Sequence, residues 1–470
     1  MANVNLTMDG KALSVPAGTT ILEAARANGI HIPTLCFLKE LDPRASCRMC
    51  VVEVEGARTF QHACAAKVRE GMVVHTDTEA VRASRKLTLE LLLSNHAVDC
   101  HHCLRIGSSK CDDLDPKFCE MCFFCDCVKD GFCDLQALAR EYKVDVLPFT
   151  QKHNTLPIDA SSVIVRNPNK CIKCRRCVDV CGKVQTVHNL AASGRGCEVV
   201  IGPAFGKAMC DSGCVGCGRC VEVCPTGAIF AKEHKDELVY WAHRDEVKTA
   251  ALISADLIPE LERVLHREPG SVTPPEIAGA MKKIGVDAVF DACEAEDAAR
   301  AQAEVLLDER LKAGKPGVLT QSFAAKAFLE KTFPDKQDSF LFYDSALAVF
   351  GRAAEGLSKR FALGAIGDAA MECEKTGCVD IAVNPRELAR IMIRTGAEPN
   401  PGRTAACESL GLPKASGKYG KLLDKAEWNM GKEPEIFEMD GLRCAVCHNL
   451  GQARAVLTGE MPFDIVRVIA

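Results

Sequence analysis

The stretch CIKCRRCVDVC, Cys171 to Cys181, and its counterpart CVGCGRCVEVCP, Cys214 to Pro225, decide how this chain is read. Each run has the spacing C-x2-C-x2-C-x3-C, and 32 residues separate the two. Thiolates three residues apart converge on one centre only if the backbone coils around it, and this register wraps a cubane [4Fe–4S] cluster. In the two-cluster version the fourth cysteine of each run ligates the other cluster. The pattern therefore gives Cys171, Cys174, Cys177 and Cys224 to one cubane, and Cys181, Cys214, Cys217 and Cys220 to the other. Pro225 follows the second run as expected, whereas Gly182 follows the first, a departure that touches the turn and no ligand.

With 470 residues the chain has room for three or four domains. Its 28 cysteines would suit a disulfide-rich secreted protein, but that class is short and carries an export signal. The opening MANVNLTMDGKALSVPAG has neither a basic nor an apolar leader region, and no run of 18 apolar residues occurs. A cytoplasmic protein with metal-ligating thiols is expected. A net charge of −5 with mixed signs gives no case for nucleic acid or membrane partners. Of the 28 cysteines, 22 lie at or before Cys224, so the front half is expected to carry cofactors and the back half to do something else.

Residues 1–79 begin with alternating Val4, Leu6 and Met8 and the hairpin dipeptide Asp9-Gly10. Thr20 and Glu23 form a capping box ahead of ILEAARAN, with Gly29 as the stop. Cys36, Cys47, Cys50 and Cys64 follow, with gaps of ten, two and thirteen residues. Plant-type [2Fe–2S] proteins use a shorter C-x4-C-x2-C loop, so this is a different subtype. The segment CRMCVVEVEGARTFQHAC resembles the N-terminal domain of iron-only hydrogenases and of the largest peripheral subunit of respiratory complex I. The resemblance implies a β-grasp ferredoxin domain holding one [2Fe–2S] cluster on these four cysteines.

Residues 80–150 open with the apolar helix pattern LTLELLLSNHAVDCHHC. In both families the matching place carries a cubane bound by one His and three Cys, H-x3-C-x2-C-x5-C, then a Leu-Gln pair. His96, Cys100 and Cys103 fit that order, but Cys111 comes two residues late, while Cys133 precedes Leu135-Gln136. The reading adopted is His96, Cys100, Cys103 and Cys133 on one cluster. A Cys-rich insertion then supplies an extra cubane from Cys111, Cys119, Cys122, Cys125 and Cys127. Cys197 and Cys210, in the 151–235 ferredoxin region, lie outside the cubane spacing and are expected to be buried thiols.

From residue 236 to 470, helix-length periods alternate with short Val/Ile/Ala runs, which argues an α/β architecture. Here the chain resembles the catalytic domain of iron-only hydrogenases. VFDAC (Val289 to Cys293) and VDIAVNPREL (Val379 to Leu388) match framework segments of that family. Its cluster-binding motifs are replaced. Thr320, Gln321, Ser322, Phe323 and Ala324 stand where the family has TSCCP, and Ile366, Gly367 and Asp368 stand where it has MPC. The chain ends PFDIVRVIA about where a last CPGGC motif would follow. The resemblance thus implies the hydrogenase fold without its hydrogen-activating cluster. Cys373, Cys378, Cys444 and Cys447, a C-x4-C and a C-x2-C pair, are the candidates for a rebuilt metal site. Against it, LRCAVCHNL reads as a strand that would point the latter two cysteines to opposite faces. EAEDAARAQAEVLLDERLK reads as carrying a solvated helix face.

The expectation is a multidomain α+β and α/β protein carrying one [2Fe–2S] and three to four [4Fe–4S] clusters. No catalytic residue is assigned. It would serve as the electron-transfer subunit of a soluble, electron-bifurcating oxidoreductase. The resemblance implies as partners a flavin- and NAD(P)-binding iron–sulfur subunit and a thioredoxin-like [2Fe–2S] subunit. A nickel–iron hydrogenase, a formate dehydrogenase or a ferredoxin-linked transhydrogenase would be the second catalytic component. The alternatives are an enzyme with a rebuilt metal site, or a redox sensor or scaffold.

Overall fold

The computed structural model describes residues 2–96, 127–129, 132–144, 148–149, 156–234, 237–254, 256–424, 428–431, 433–458 and 463–469. Strands β1 (Asn3–Met8) and β2 (Lys11–Pro16) pair antiparallel across Asp9-Gly10, with Leu6 and Met8 buried on one face. β3 (Val51–Val54), β4 (Gln61–His62) and β5 (Met72–His75) complete a sheet in the order β2-β1-β5-β3-β4, in which β1 and β5 run parallel. The helix Ile21–Ala27 buries Ile21, Leu22, Ala24 and Ala25 in the core beside this sheet. Its capping box is complete: Thr20 Oγ1 accepts from the Glu23 amide at 3.2 Å, and Glu23 Oε2 accepts from the Thr20 amide at 2.9 Å. Such a cap contributes about 1 kcal/mol.

The helix Glu79–Leu93 buries Val81, Arg85, Leu89 and Leu93, one residue per turn. Arg85 is 2% exposed and donates to the carbonyls of Val51 and Thr76 and to the Tyr142 hydroxyl. A buried guanidinium with fixed acceptors ties this helix to the first sheet and to the end of the helix Asp134–Glu141.

The middle of the chain has two small antiparallel ribbons, β6 (Ile164–Arg166) with β9 (Ile229–Ala231), and β7 (Leu190–Ser193) with β8 (Val200–Pro203). The short helices Arg176–Asp179 and Arg219–Glu222 lie within the two cysteine runs.

The back half holds two further sheets. One is wholly parallel, in the order β11 (Ala288–Asp291), β10 (Thr249–Ile253), β14 (Lys359–Leu363), β15 (Ile381–Val383). The other runs β13 (Phe340–Phe342), β12 (Gly317–Thr320), β18 (Ile465–Val468), β17 (Leu442–Cys447), β16 (Glu435–Met439), with only β16 antiparallel. Strands such as TAALI are buried along their whole length, as parallel strands covered on both faces must be. The charged stretch after VFDAC forms the helix Ala292–Lys312, which has one buried face. Ala295, Ala299, Ala303 and Leu307 make a narrow stripe in the core beside β17 and β18. Alanines spaced four apart leave little apolar signal among charged and polar neighbours, yet they allow close helix approach.

Candidate metal centres

Both cysteine runs adopt one backbone form. Lys173 and Arg175 in the first have φ of 58° and 65°, and the equivalent Gly216 and Gly218 in the second have φ of 77°. These left-handed residues turn each loop inward, and an amide then donates to sulfur at equivalent places. Lys173 N–H lies 3.4 Å from Cys171 Sγ, and Gly216 N–H lies 3.4 Å from Cys214 Sγ. Asn189 N–H adds a third such contact, 3.3 Å from Cys181 Sγ.

The thiols divide by proximity. Cys171, Cys174 and Cys177 each feel the charge of Cys224. Cys214, Cys217 and Cys220 each feel that of Cys181, and Cys220 also feels Cys177 of the first run. Burial pushes Cys171 up to about 11 and Cys174 and Cys217 to about 12, and lifts Cys177 and Cys220 well above the usual thiol value. Four buried thiols repel one another as thiolates, so the anionic form is favoured only with cations among them. A cavity of about 20 Å³ lined by Cys171, Cys174, Cys177 and Cys224 marks the centre of the first group. The donor chemistry and grouping fit two cubanes.

Cys36, Cys47, Cys50 and Cys64 are all buried. The thiols of Cys50 and Cys64 are 3.4 Å apart, and Cys36 and Cys47 are in hydrogen-bond contact. The hydrogen bond from Cys47 holds the Cys36 thiol below its ordinary value, and the same bond, with burial, drives Cys47 up. This donor set fits a [2Fe–2S] cluster. His96 is 4% exposed just past the helix Glu79–Leu93, and Cys133, pushed to about 12 by burial, precedes the helix Asp134–Glu141. Cys127 lies near enough to Cys133 to raise it further. Cys100, Cys103, Cys111, Cys119, Cys122 and Cys125 lie outside the described residues. Among the described residues the front groups share one core, in which Cys36 and Cys47 pack with Cys133 and Cys174.

Contacts that the sequence did not reveal fix the twin loops in place. Arg44, between Cys36 and Cys47, forms an ion pair with Asp179 of the first run, whose side chain is 7% exposed. Arg176 reaches Asp134 at 3.4 Å. The second run faces the other way. A side chain on Gly218 would stand 2.5 Å from the Gly367 Cα, and one on Gly216 would meet Met371. The only available sequence signal was glycine at 216 and 218 where the first run has Lys and Arg.

Gly367 lies in the segment expected to stand in place of MPC. The next residue, Asp368, accepts from the Ala324 amide at 2.5 Å, joining this segment to the one expected in place of TSCCP. Ser322 caps the helix Phe323–Thr332 by accepting from the Ala325 amide at 3.0 Å. These two segments therefore hold a helix end and each other. The candidate four-cysteine site further on is not assembled. Cys373 and Cys378 touch, but Cys444 and Cys447 sit in different cores on opposite faces of β17, because side chains three apart on a strand diverge. Among the described residues no three His, Cys, Asp or Glu side chains converge on a single metal ion. Cys210, expected buried, is exposed.

A 2Fe-2S iron-sulfur cluster binding domain family matches residues 1–79, and a 4Fe-4S binding domain family matches residues 211–230. Among the described residues no helix is long and apolar enough to cross a membrane. These domains and the buried cysteine groups define an iron–sulfur electron-transfer subunit of an oxidoreductase. The NADP-reducing hydrogenase subunit HndD of Solidesulfovibrio fructosivorans is 32% identical over 100% of this chain and 87% of that protein. The chain belongs to the family of that subunit. The mitochondrial NADH-ubiquinone oxidoreductase 78 kDa subunit of Candida albicans is 32% identical over 43% of this chain, which spans a quarter (25%) of that protein. A solved NAD+-reducing [NiFe]-hydrogenase chain is 28% identical over 49% of this chain and 88% of its own, with a TM-score of 0.41.

Proposed function

We propose that this chain is the electron-relay subunit of a soluble NAD(P)-linked, electron-bifurcating complex. It takes electrons from a flavin- and NAD(P)-binding iron–sulfur subunit and delivers them to a catalytic site on another subunit. The proposed ligand sets are Cys36, Cys47, Cys50 and Cys64 for [2Fe–2S], and the two quartets of the twin runs for cubanes. His96, Cys100, Cys103 and Cys133 would hold a third cubane, and the Cys111–Cys127 insertion a fourth. The proposed domains are 1–79, 80–150, 151–235 and 236–470. When bound, the clusters supply one-electron carriers; the chain buries their thiolates, directs amide hydrogens at sulfur and brings neighbouring groups into shared cores.

One observation carries the reading. The first run is tied to the front of the chain through Arg44 and Asp134, whereas the second abuts Gly367 and Met371, in a region proposed to be a hydrogenase-like domain whose proposed motif positions hold no cysteine. Electrons entering at the front therefore find no hydrogen-activating ligands at the back, and a partner subunit must accept them. A thioredoxin-like [2Fe–2S] subunit and a nickel–iron hydrogenase, formate dehydrogenase or ferredoxin-linked component are the proposed partners. The test is NADH-dependent bleaching of the reconstituted chain, expected only with the flavoprotein present, together with about 18 Fe per chain. Hydrogen evolution by the reduced, isolated chain would overturn the reading.

A further inference from the structure

The helix Gly367–Thr376 ends at Gly377, whose φ of 66° reverses the chain. The Gly377 amide donates to the Cys373 carbonyl at 3.0 Å. Past such a left-handed glycine, the side chains three residues before the cap and one residue after the glycine commonly touch. Here both positions are cysteine. Cys373 is 6% exposed, while Cys378 is partly exposed, and the two thiols are close enough to shift one another's titration. Cys378 opens onto a cavity of about 730 Å³, lined also by Lys326, Phe342, Asp344, Arg352 and Glu372. That volume suits a small molecule.

We propose that Cys373 and Cys378 form a thiol–disulfide exchange site that takes a low-molecular-weight disulfide from this cavity. The Cys378 thiolate attacks one sulfur of the substrate, forming a mixed disulfide and expelling one thiolate. Cys373 then gives up its proton and attacks Cys378 Sγ, closing the Cys373–Cys378 disulfide and expelling the second. Two protein thiols and one external disulfide become one protein disulfide and two external thiols, and an external dithiol reverses the exchange. Cys378 suits the attacking role because the Cys373 thiol donates to it, lowering its pKa, with the Val379 amide and the Arg360 guanidinium adding to the effect. Glu372 lines the same cavity, and burial lifts its carboxyl to about 7, placing a proton acceptor beside Cys373. Ser345 donates to that carboxylate at 2.6 Å and holds it in place.

The experiment uses the full, cluster-loaded chain under anaerobic conditions with oxidised glutathione as the probe, read by peptide mass mapping. Wild type is expected to yield the Cys373–Cys378 disulfide and two reduced glutathiones per event. Cys373→Ala should instead stop at a glutathione adduct on Cys378. In untreated wild type, iodoacetamide should label Cys378 at pH 7 about tenfold or more faster than exposed Cys293, whose thiol a neighbouring Asp291 raises to about 11. Absence of the 373–378 disulfide in wild type, or labelling of Cys378 no faster than Cys293, would overturn the proposal. Neither readout depends on electron relay, so the two readings stand or fall separately.

Discussion

The two cysteine runs are the same loop put to different uses. Their backbones turn through left-handed residues at equivalent places, yet the first uses Lys173 and Arg175 where the second uses Gly216 and Gly218. A left-handed conformation does not by itself require glycine; it costs a side chain about 1 kcal/mol. What requires glycine in the second run is the neighbour, since the Gly367 backbone leaves no room for a Cβ. The charged positions diverge in the same way. Asp179 is buried against Arg44 of the first domain, while its equivalent, Glu222, pairs with Arg219 in its own helix at 2.6 Å. Arg176 reaches forward to Asp134, while Arg219 stacks 4.5 Å over Trp428. A near-symmetric module has thus become a junction, one loop joined to the front clusters and the other to the back half.

The largest expected effect tests whether the fourth cysteines cross between runs. Cys224→Ser should abolish the same cubane signal as Cys174→Ser, and Cys181→Ser the same one as Cys217→Ser, with about four iron atoms lost in each case. Electron paramagnetic resonance and iron analysis decide this, and the reverse pairing would break the comparison. Next, Gly218→Arg imports the first run's residue into the second. The clash with Gly367 should cost about 3 kcal/mol in denaturant unfolding, whereas the same change at a free loop would cost little. Among the described residues, Arg44→Ala leaves Asp179 with Lys183, 3.8 Å away, as its cationic partner. A loss of about 2 kcal/mol is expected, measured as earlier melting of the front domains.

The helix packed on the second run carries a half-buried acid, Glu372. Because the Glu372 carboxyl is lifted from 4.5 to about 7, the folded state binds more protons than the unfolded chain across that interval. The stabilisation is present below pH 4.5 and is lost as pH rises through about 7, by about 1–2 kcal/mol. Glu372→Gln should flatten that part of the stability profile. The smallest effect is Arg175→Gly, which should relieve the left-handed strain and stabilise by at most about 1 kcal/mol.

Much of the metal chemistry was legible because cluster ligation imposes short, rigid spacings. The registers of Cys171–Cys181 and Cys214–Cys224 could be read without any fold. The capping box at Thr20 and the Asp9-Gly10 hairpin were equally local. The buried stripe of Ala295, Ala299 and Ala303 was not, because alanine carries too little hydrophobic contrast to reveal which face packs. Nor was the Cys373–Cys378 contact, which could be mistaken for half of a metal site until β17 sent Cys444 and Cys447 to opposite faces.

By itself, then, the sequence determined what this protein can hold: clustered thiols at cluster spacing, concentrated in the front half of the chain. Only the tertiary structure decided which way each cysteine loop faces. Ligand spacing is a property of a few consecutive residues, whereas the meeting of Gly218 with Gly367, or of Arg44 with Asp179, joins residues more than a hundred positions apart. Those contacts are set by the packing of whole domains, to which no short pattern testifies.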